Sequence, residues 1–315
     1  EAINELWSDP NSPIVNRATS GRYAPGSTYK PLVSIAALES GVITPETKIK
    51  CPYKEEIGDM MFTNLEGNQD YINLERALET SSNMFFYKVG VQTGIDKIVE
   101  WAKIFGFGKK TGIEIGEAIG SLASREFKMQ NFGEEWYPAN TAMASIGQLY
   151  NAFTPIQIVN YISTIANGGK KMAPHLIKMA VNDSGEIVYE PSKEYEQIPA
   201  SQKNIAAVQK GMLAVTHKSD GTAANAFKDF PFKVAGKTGT SEAGKEATSS
   251  SNGLFVCYAP YDKPEIAVVV VVEHGVWGSW TAPIARDIMM EYFRLNTERE
   301  NAKTDSSQET IDIIW

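Results

Sequence analysis

Apolar positions along the chain recur first at helical and later at strand spacing. Between 27 and 41, Leu32, Ile35, Ala36 and Leu38 share one face of a 3.6-residue period. This predicts a helix with Ser27 near its N-terminus and Gly41 as its C-cap. Pro31 fits there because first-turn N–H groups have no helical partner. Asn73 is placed to cap a helix over 74–80. The segment Ser81-Ser82-Asn83 breaks that helix, and a second is expected over 84–89, closed by Gly90. Helical spacing returns at 95–105, ended by Gly106-Phe107-Gly108, and again at 139–149, 155–166, 201–216 and 282–295. Residues 1–26, punctuated by Asp9-Pro10, Ser12-Pro13 and Pro25-Gly26, read as irregular. So do 42–72 and 112–137, while 176–190 suggests a hairpin about Asp183-Ser184-Gly185.

The period changes after 231. Segments 232–241, 252–259 and 265–273 read as three consecutive strands, joined by a Gly/Ser-rich turn (243–251) and a turn containing Pro260 and Pro264. A long helical middle flanked by pieces of an antiparallel sheet predicts a mixed α/β (α+β) fold. The expected organisation is one domain over 1–296, with a helical subdomain over roughly 31–215, and a polar, flexible tail over 297–315. The run 266–272 is apolar on both faces, as in strands covered on both sides. If the three strands pair in order, this one keeps an open edge. Such an edge is normally covered, so a further strand is expected before Glu1. The turn carrying Trp277 and Trp280 should face the same side of the sheet as the 243–251 hairpin; core packing under the last helix competes with that placement.

Composition narrows the classes. Thirty Lys and Arg against 38 Asp and Glu give a net charge of −8, which disfavours a nucleic-acid partner held through phosphates. With 43% hydrophobic and 22% charged residues the chain is globular. Its longest apolar run is seven residues, against the roughly 20 a membrane helix needs. Two cysteines, Cys51 and Cys257, make no disulfide framework, and Cys257 in its apolar run reads as a buried, inert thiol. His175, His217 and His274 are scattered and read as structural or surface residues. No metal or cofactor is expected.

Three short patterns carry chemistry. Ser27-x-x-Lys30 occurs once; on a helix, i and i+3 share a face, so the Lys30 amine lies near the Ser27 hydroxyl. A serine needs a base to become a nucleophile, and a lysine whose pKa is lowered by burial can be that base. Ser81-x-Asn83 interrupts two helices and exposes polar side chains in an apolar region. Lys237-Thr238-Gly239-Thr240 follows a strand run: two hydroxyls and an ammonium there can receive a carboxylate, and Gly239 lets a substrate backbone approach. Each pattern has a weaker copy or a bland reading. Lys110-Thr111-Gly112 reads as a turn, Ser250-Ser251-Asn252 as hairpin-loop chemistry, and an isolated Ser-x-x-Lys as a capping serine beside a surface lysine.

Taken in this order, with Asn16-Arg-Ala18, Tyr23-Ala-Pro-Gly-Ser-Thr-Tyr-Lys30, Ala77-Leu-Glu-Thr-Ser-Ser-Asn83, Phe105-Gly-Phe-Gly108, Ile146-Gly-Gln148, Thr154-Pro-Ile-Gln157, Ala166-Asn-Gly-Gly169 and Lys237-Thr-Gly-Thr240, the patterns resemble the transpeptidase domain of class B penicillin-binding proteins, elongation type, over about 12–295. One departure is Leu149 after Gln148, where many relatives have Gly.

The resemblance implies a penicillin-binding protein and serine β-lactamase-like fold and a D,D-transpeptidase acting on peptidoglycan stem peptides. Ser27 would be the acylated nucleophile, Lys30 its base, and Ser81 with Lys237 the proton relay to the leaving group. Asn83 would bind the donor amide, and Thr238, Gly239 and Thr240 the donor carboxylate end; the backbone N–H groups of Ser27 and Thr240 would form the oxyanion hole. It further implies inhibition by β-lactams, a membrane glycosyltransferase partner, and an extracytoplasmic site. Two strands, a pedestal and a membrane anchor would lie upstream.

Rival readings are a D,D-carboxypeptidase, a serine β-lactamase and a non-enzymatic β-lactam-sensing receptor. Glu135 stands off the Glu-x-x-x-Asn spacing relative to Asn140, and Asn83 stands where one β-lactamase class has an aliphatic residue. Both count against a β-lactamase.

Overall fold

The computed structural model describes residues 2–9, 12–58, 60–64, 66–241 and 251–308. In chain order the elements are α1 (Ala2–Ser8), α2 (Arg17–Ser20), a 3₁₀ turn (Gly26–Tyr29) running into α3 (Lys30–Glu39), β1 (Ile49–Cys51), β2 (Lys54–Ile57), β3 (Met60–Thr63) and β4 (Gln69–Ile72). The helical middle follows with α4 (Leu74–Glu79), α5 (Asn83–Thr93), α6 (Ile95–Ile104), α7 (Arg125–Phe132), α8 (Pro138–Ser145) and α9 (Pro155–Ala166). Next come β5 (Lys170–Lys171), β6 (Ala180–Val181), β7 (Ile187–Tyr189), β8 (Glu196–Gln197), α10 (Gln202–His217) and α11 (Ala224–Phe227). The chain then forms β9 (Ala235–Ser241), β10 (Asn252–Ala259), β11 (Ile266–Val272), a second 3₁₀ turn (Gly278–Trp280) and α12 (Ala282–Gln308).

Capping side chains explain where several helices start. Asn73 Oδ1 accepts the Arg76 N–H, Thr154 and Gln157 bond each other's backbone N–H, and Ser201 Oγ accepts the Asn204 N–H. Several segments differ from the expectation. Residues 42–72, read as irregular, hold two antiparallel pairs, β1 with β4 and β2 with β3. The lead-in contains α1 and α2, the latter capped by Asn16 Oδ1. Residues 112–137 contain α7, with Ser124 as N-cap and left-handed Gly133 as C-cap. Gly90 does not close α5, which runs on to Thr93. It lies where α5 crosses α8, and a Cβ there would stand 1.9 Å from Ser145 Oγ, so the glycine serves close packing. The last helix does not stop at 295: the backbone of 297–308, expected to be an irregular tail, continues it. After Pro283 that stretch has no Gly or Pro, and Arg294 pairs with both Glu291 and Glu298 one turn away on either side. Residues 309–315 of the tail and 242–250 of the hairpin turn lie outside the described residues.

The three strands pair as expected, antiparallel in the order β11-β10-β9, with Leu254 opposite both Gly239 and Val271. Strand β10 divides two cores by its alternation. Leu254, Val256 and Tyr258 face the larger one, with α3, α5 and α9; Phe255, Cys257 and Ala259 face the smaller one, with Phe227, Ala285 and Met289. Cover on both faces accounts for the unbroken apolar run of β11. Among the described residues β11 pairs only with β10, so its outer edge carries no strand. Beyond its C-terminal end, Glu273 accepts hydrogen bonds from Tyr23 (2.8 Å) and Arg17 (3.0 Å).

Gly90→Ala tests the α5–α8 crossing. Helix propensity alone favours Ala by about 1 kcal/mol, but overpacking against Ser145 costs about 1–3 kcal/mol. The variant should lower the denaturant midpoint, and Ser145→Gly in the same chain should recover part of the loss.

Candidate active site

The site forms where the 3₁₀ turn carrying Ser27 meets β9. Two glycines permit that contact. Gly26 has φ +51°, and a Cβ there would lie 2.5 Å from Thr240 O; a Cβ on Gly239 would lie 2.7 Å from Thr28 Cγ2 and 2.9 Å from Pro25 O. The sequence suggested that Gly239 admits a substrate backbone. In the structure its missing Cβ admits the serine-bearing turn. From the other side, the Tyr161 hydroxyl donates to Thr28 O and holds the turn against α9.

Lys30 opens α3 and is fully buried. Its Nζ donates to Ser81 O (2.6 Å), Asn83 Oδ1 (2.6 Å) and, more weakly, Ser81 Oγ (3.3 Å). Among the described residues it makes no hydrogen bond to Ser27 Oγ, the contact expected from i,i+3 spacing. Lys237, also fully buried, reaches across from β9 and donates to Ser81 Oγ (2.8 Å) and Thr238 O (3.1 Å). Ser81 is left-handed, with φ +63°, in the break between α4 and α5.

Burial pushes the Lys30 amine down to about 7, opposed by the negative charge of Glu66. Burial, and then the charge of Lys30, holds Lys237 well below the usual lysine range. Both amines bond the same Ser81 Oγ, so two ammonium ions there would repel strongly in a buried site. One of the two amines is therefore readily neutral near pH 7. Ser81 Oγ accepts from both amines, so its lone pairs are engaged and its own proton is the part left to offer.

The break is itself pinned. Buried Asn64 accepts the Asn83 and Met84 N–H groups on Oδ1 (3.1 and 3.2 Å) and caps α5 from outside, since Ser82 provides no side-chain cap. Its Nδ2 donates to Gly67 O and Gln69 Oε1, and Gln69 donates on to Thr80.

Above these groups lies a cavity of about 720 Å³ lined by Ser27, Ser81, Asn83, Thr238, Gly239 and Thr240, with Glu66, Gln148, Thr222 and Trp277 at its walls. Lys30 and Lys237 lie beneath the floor. Thr240 Oγ1 accepts the Gly278 N–H (3.2 Å), and Thr238 Oγ1 stands 2.7 Å from Thr222 Oγ1. All eight residues singled out in the sequence meet here. Thr222, Asn64 and Glu66 were missed: each is a common surface residue type in a turn-rich stretch, without a local signature. Trp277 lines the cavity as expected. Trp280 does not line it and is 65% exposed, so neither ring packs in the core.

Of the weaker copies, Lys110-Thr111-Gly112 lies elsewhere, whereas Ser251 of the Ser250-Ser251-Asn252 copy lines the cavity and Ser250 lies outside the described residues. Thr111 and Gly112 bind the Glu117 carboxylate in a turn. Asn140 Oδ1 accepts from Lys128 and the Tyr137 N–H, away from the cavity. His175 pairs with Glu114, and Cys51 and Cys257 are buried, with thiol pKa values raised by burial.

The family model "Penicillin binding protein transpeptidase domain" matches residues 3–290, and the chain belongs to that family. Within it, the similarity is to the PBP2 (MrdA) type. Peptidoglycan D,D-transpeptidase MrdA of Escherichia coli K12 is 33% identical over 90% of this chain and 47% of its own length; that of Haemophilus influenzae is 34% identical over 99% and 52%. The chain thus spans about half the length of these relatives. The structure of Pseudomonas aeruginosa PBP2 in complex with WCK 5153 superposes with a TM-score of 0.83 at 33% identity, covering 92% of this chain and 66% of that one. Helicobacter pylori PBP2 in complex with MreC gives 0.83 at 29% identity, covering 93% and 54%. The fold is therefore the penicillin-binding protein transpeptidase fold.

If neutral Lys30 is the base, acylation of Ser27 by a penicillin falls about tenfold per unit as pH drops below about 7, and levels off above it. Lys30→Ala should slow acylation by about 10²- to 10⁴-fold, while Lys110→Ala leaves it unchanged. Stopped-flow acylation rates across pH 5–9, a range spanning about two units either side of that value, measure both.

Proposed function

We propose that the chain is the catalytic domain of a peptidoglycan D,D-transpeptidase of the elongation type, working through an acyl-enzyme on Ser27. The observation that carries this reading is Ser81 Oγ held between the Lys30 and Lys237 amines at the floor of a cavity that also exposes Ser27. Neutral Lys30 takes the Ser27 proton, and Ser27 Oγ attacks the carbonyl joining the two terminal D-Ala residues of a stem peptide. The backbone N–H groups of Ser27 and Thr240 receive the oxyanion. As the tetrahedral intermediate collapses, Ser81 gives its proton to the departing D-Ala amine and is reprotonated from the lysine pair. The leaving carboxylate sits at Thr238 and Thr240, and Asn83 orients the donor amide. An amine of a second stem peptide then attacks the ester, the protons run back, and a cross-link forms with free Ser27 restored.

Several similarities support this reading. The relatives named above are D,D-transpeptidases, and penicillin-binding protein A of Mycobacterium tuberculosis forms an imipenem acyl-enzyme complex (TM-score 0.78, 26% identity). β-Lactams are proposed to acylate Ser27 in the same way. Residues 1–296 are assigned to this domain, with 31–215 as its helical part. The site of action is extracytoplasmic, at the membrane, with a glycosyltransferase as partner. Similarity to a peptidoglycan synthase complex that coordinates polymerization and crosslinking supports that assignment (TM-score 0.82, 31% identity).

Intact-mass measurement after penicillin, followed over hours, tests the reading. One stable adduct per chain, mapped to Ser27, is expected. Rapid turnover would make the protein a β-lactamase, and an adduct on Ser34, Ser81 or Ser241 would overturn the assignment of the nucleophile.

A further inference from the structure

Glu66 has no part in the chemistry above, yet it supplies the only carboxylate that lines the cavity among the described residues. Its side chain is exposed to the cavity and makes no ion pair among the described residues. Among the described residues its hydrogen bond is from the Asn83 N–H, 3.4 Å from Oε2, a donor shared with Asn64 Oδ1. Asn64 and Gly67, on either side of it in the chain, are held by hydrogen bonds. The Asn64 amide is buried and bonds Gly67 O on one side and the start of α5 on the other, and Gly67 N–H returns a bond to Asn64 O. A lone carboxylate close to bonded Asn64 and Gly67, facing a cavity through which a peptide must pass, is poised for a cation. The cavity's own cations do not fill that role. Lys30 and Lys237 lie beneath the floor with their donors committed to Ser81, Asn83 and Thr238, and they feel Glu66 only through space.

We propose that Glu66 binds a primary ammonium group of the peptide substrate. This rests on the transpeptidase reading and adds a charge requirement to it. The ammonium has two possible sources: a side-chain amine on the donor stem peptide, or the acceptor amine before it gives up its proton. Both bring the same chemistry, a –NH₃⁺ against a carboxylate, a charge-assisted hydrogen bond.

The two sources separate in one experiment on the purified chain. The donors are two N-acyl D-alanyl thioesters that differ only in whether a lysine side chain is free or N-acetylated. The acceptor is a D-amino acid amine competing with water for the acyl-enzyme. The donor readout is the ratio of acylation efficiencies for the two thioesters. The acceptor readout is the ratio of aminolysis to hydrolysis. Both are ratios over active molecules only, so partial misfolding of a variant does not move them. Glu66→Gln should lower one ratio at least fivefold, and Glu66→Asp should restore part of it. A fall in the donor ratio identifies the donor amine, and a fall in the acceptor ratio the acceptor amine.

The proposal is overturned if both ratios stay within twofold of wild type, including when the acylation pH profile moves, which would assign Glu66 to tuning the lysines alone. It is also overturned if hydrolysis falls while aminolysis holds, which would make Glu66 a base for water. If the unmodified chain is acylated by neither thioester nor penicillin, the transpeptidase reading fails and the proposal with it; a penicillin adduct on Ser27 with unchanged ratios leaves the reading standing and removes only Glu66.

Discussion

The site depends on the cost of keeping two lysine amines out of water beside one hydroxyl. Each would lose several kcal/mol of hydration as an isolated buried ion. Hydrogen bonds from Lys30 to Ser81 O and Asn83 Oδ1 and from Lys237 to Thr238 O offset part of that loss, and lowered pKa values remove the rest by letting an amine go neutral. That arrangement requires the chain between α4 and α5 to turn its carbonyl and its hydroxyl toward the same point. A left-handed residue does this, and Ser81 takes that conformation because the cap from Asn64 and the bonds to Lys30 fix both sides of it. The break between the two helices is therefore part of the candidate site's architecture rather than a gap in helix propensity.

Much of this was legible before any coordinates. Strand period, capping residues and the order of three polar patterns located the sheet, most helices and all eight residues that gather at the cavity. What was not legible follows from physics that acts across the chain. Gly90 looks like a helix stop because glycine usually is one, but a neighbouring helix 55 residues on, at Ser145, decides its role. The direction of the Lys30 amine could not come from i,i+3 spacing, since its acceptors lie some 50 residues away. Asn64 and Glu66 sit in a turn whose local pattern is unremarkable, and only its contact with the start of α5 makes it matter. By contrast, Ser124 and Gly133 are ordinary caps, and α7 could have been read from them.

The sheet gives the site its stiffness. Strand β10 is buried on both faces and pairs on both edges, so it cannot shift without disturbing two cores. Strand β9 inherits that fixity through seven paired positions, and it carries Lys237, Thr238 and Thr240 on a chain that bends little. The helical middle contributes the opposite wall. Ser27 and Lys30 enter from α3 and its preceding turn, and Ser81 and Asn83 from the α4–α5 break. The candidate site thus lies at the junction of the sheet and the helical part rather than on a loop.

The contact of the Ser27 turn with β9 is made through glycines: Gly26 meets the Thr240 backbone, and Gly239 meets Thr28 Cγ2 and Pro25 O. Such a joint leaves no room for a Cβ at either glycine. A larger residue at Gly26 or Gly239 would push the Ser27 turn and the strand apart. Variation that alters which ligands this cavity admits without touching that joint is open at other lining positions such as Thr63, Met143 and Trp277. Under selection by an inhibitor, those are the places where sequence change can accumulate while the floor stays as it is.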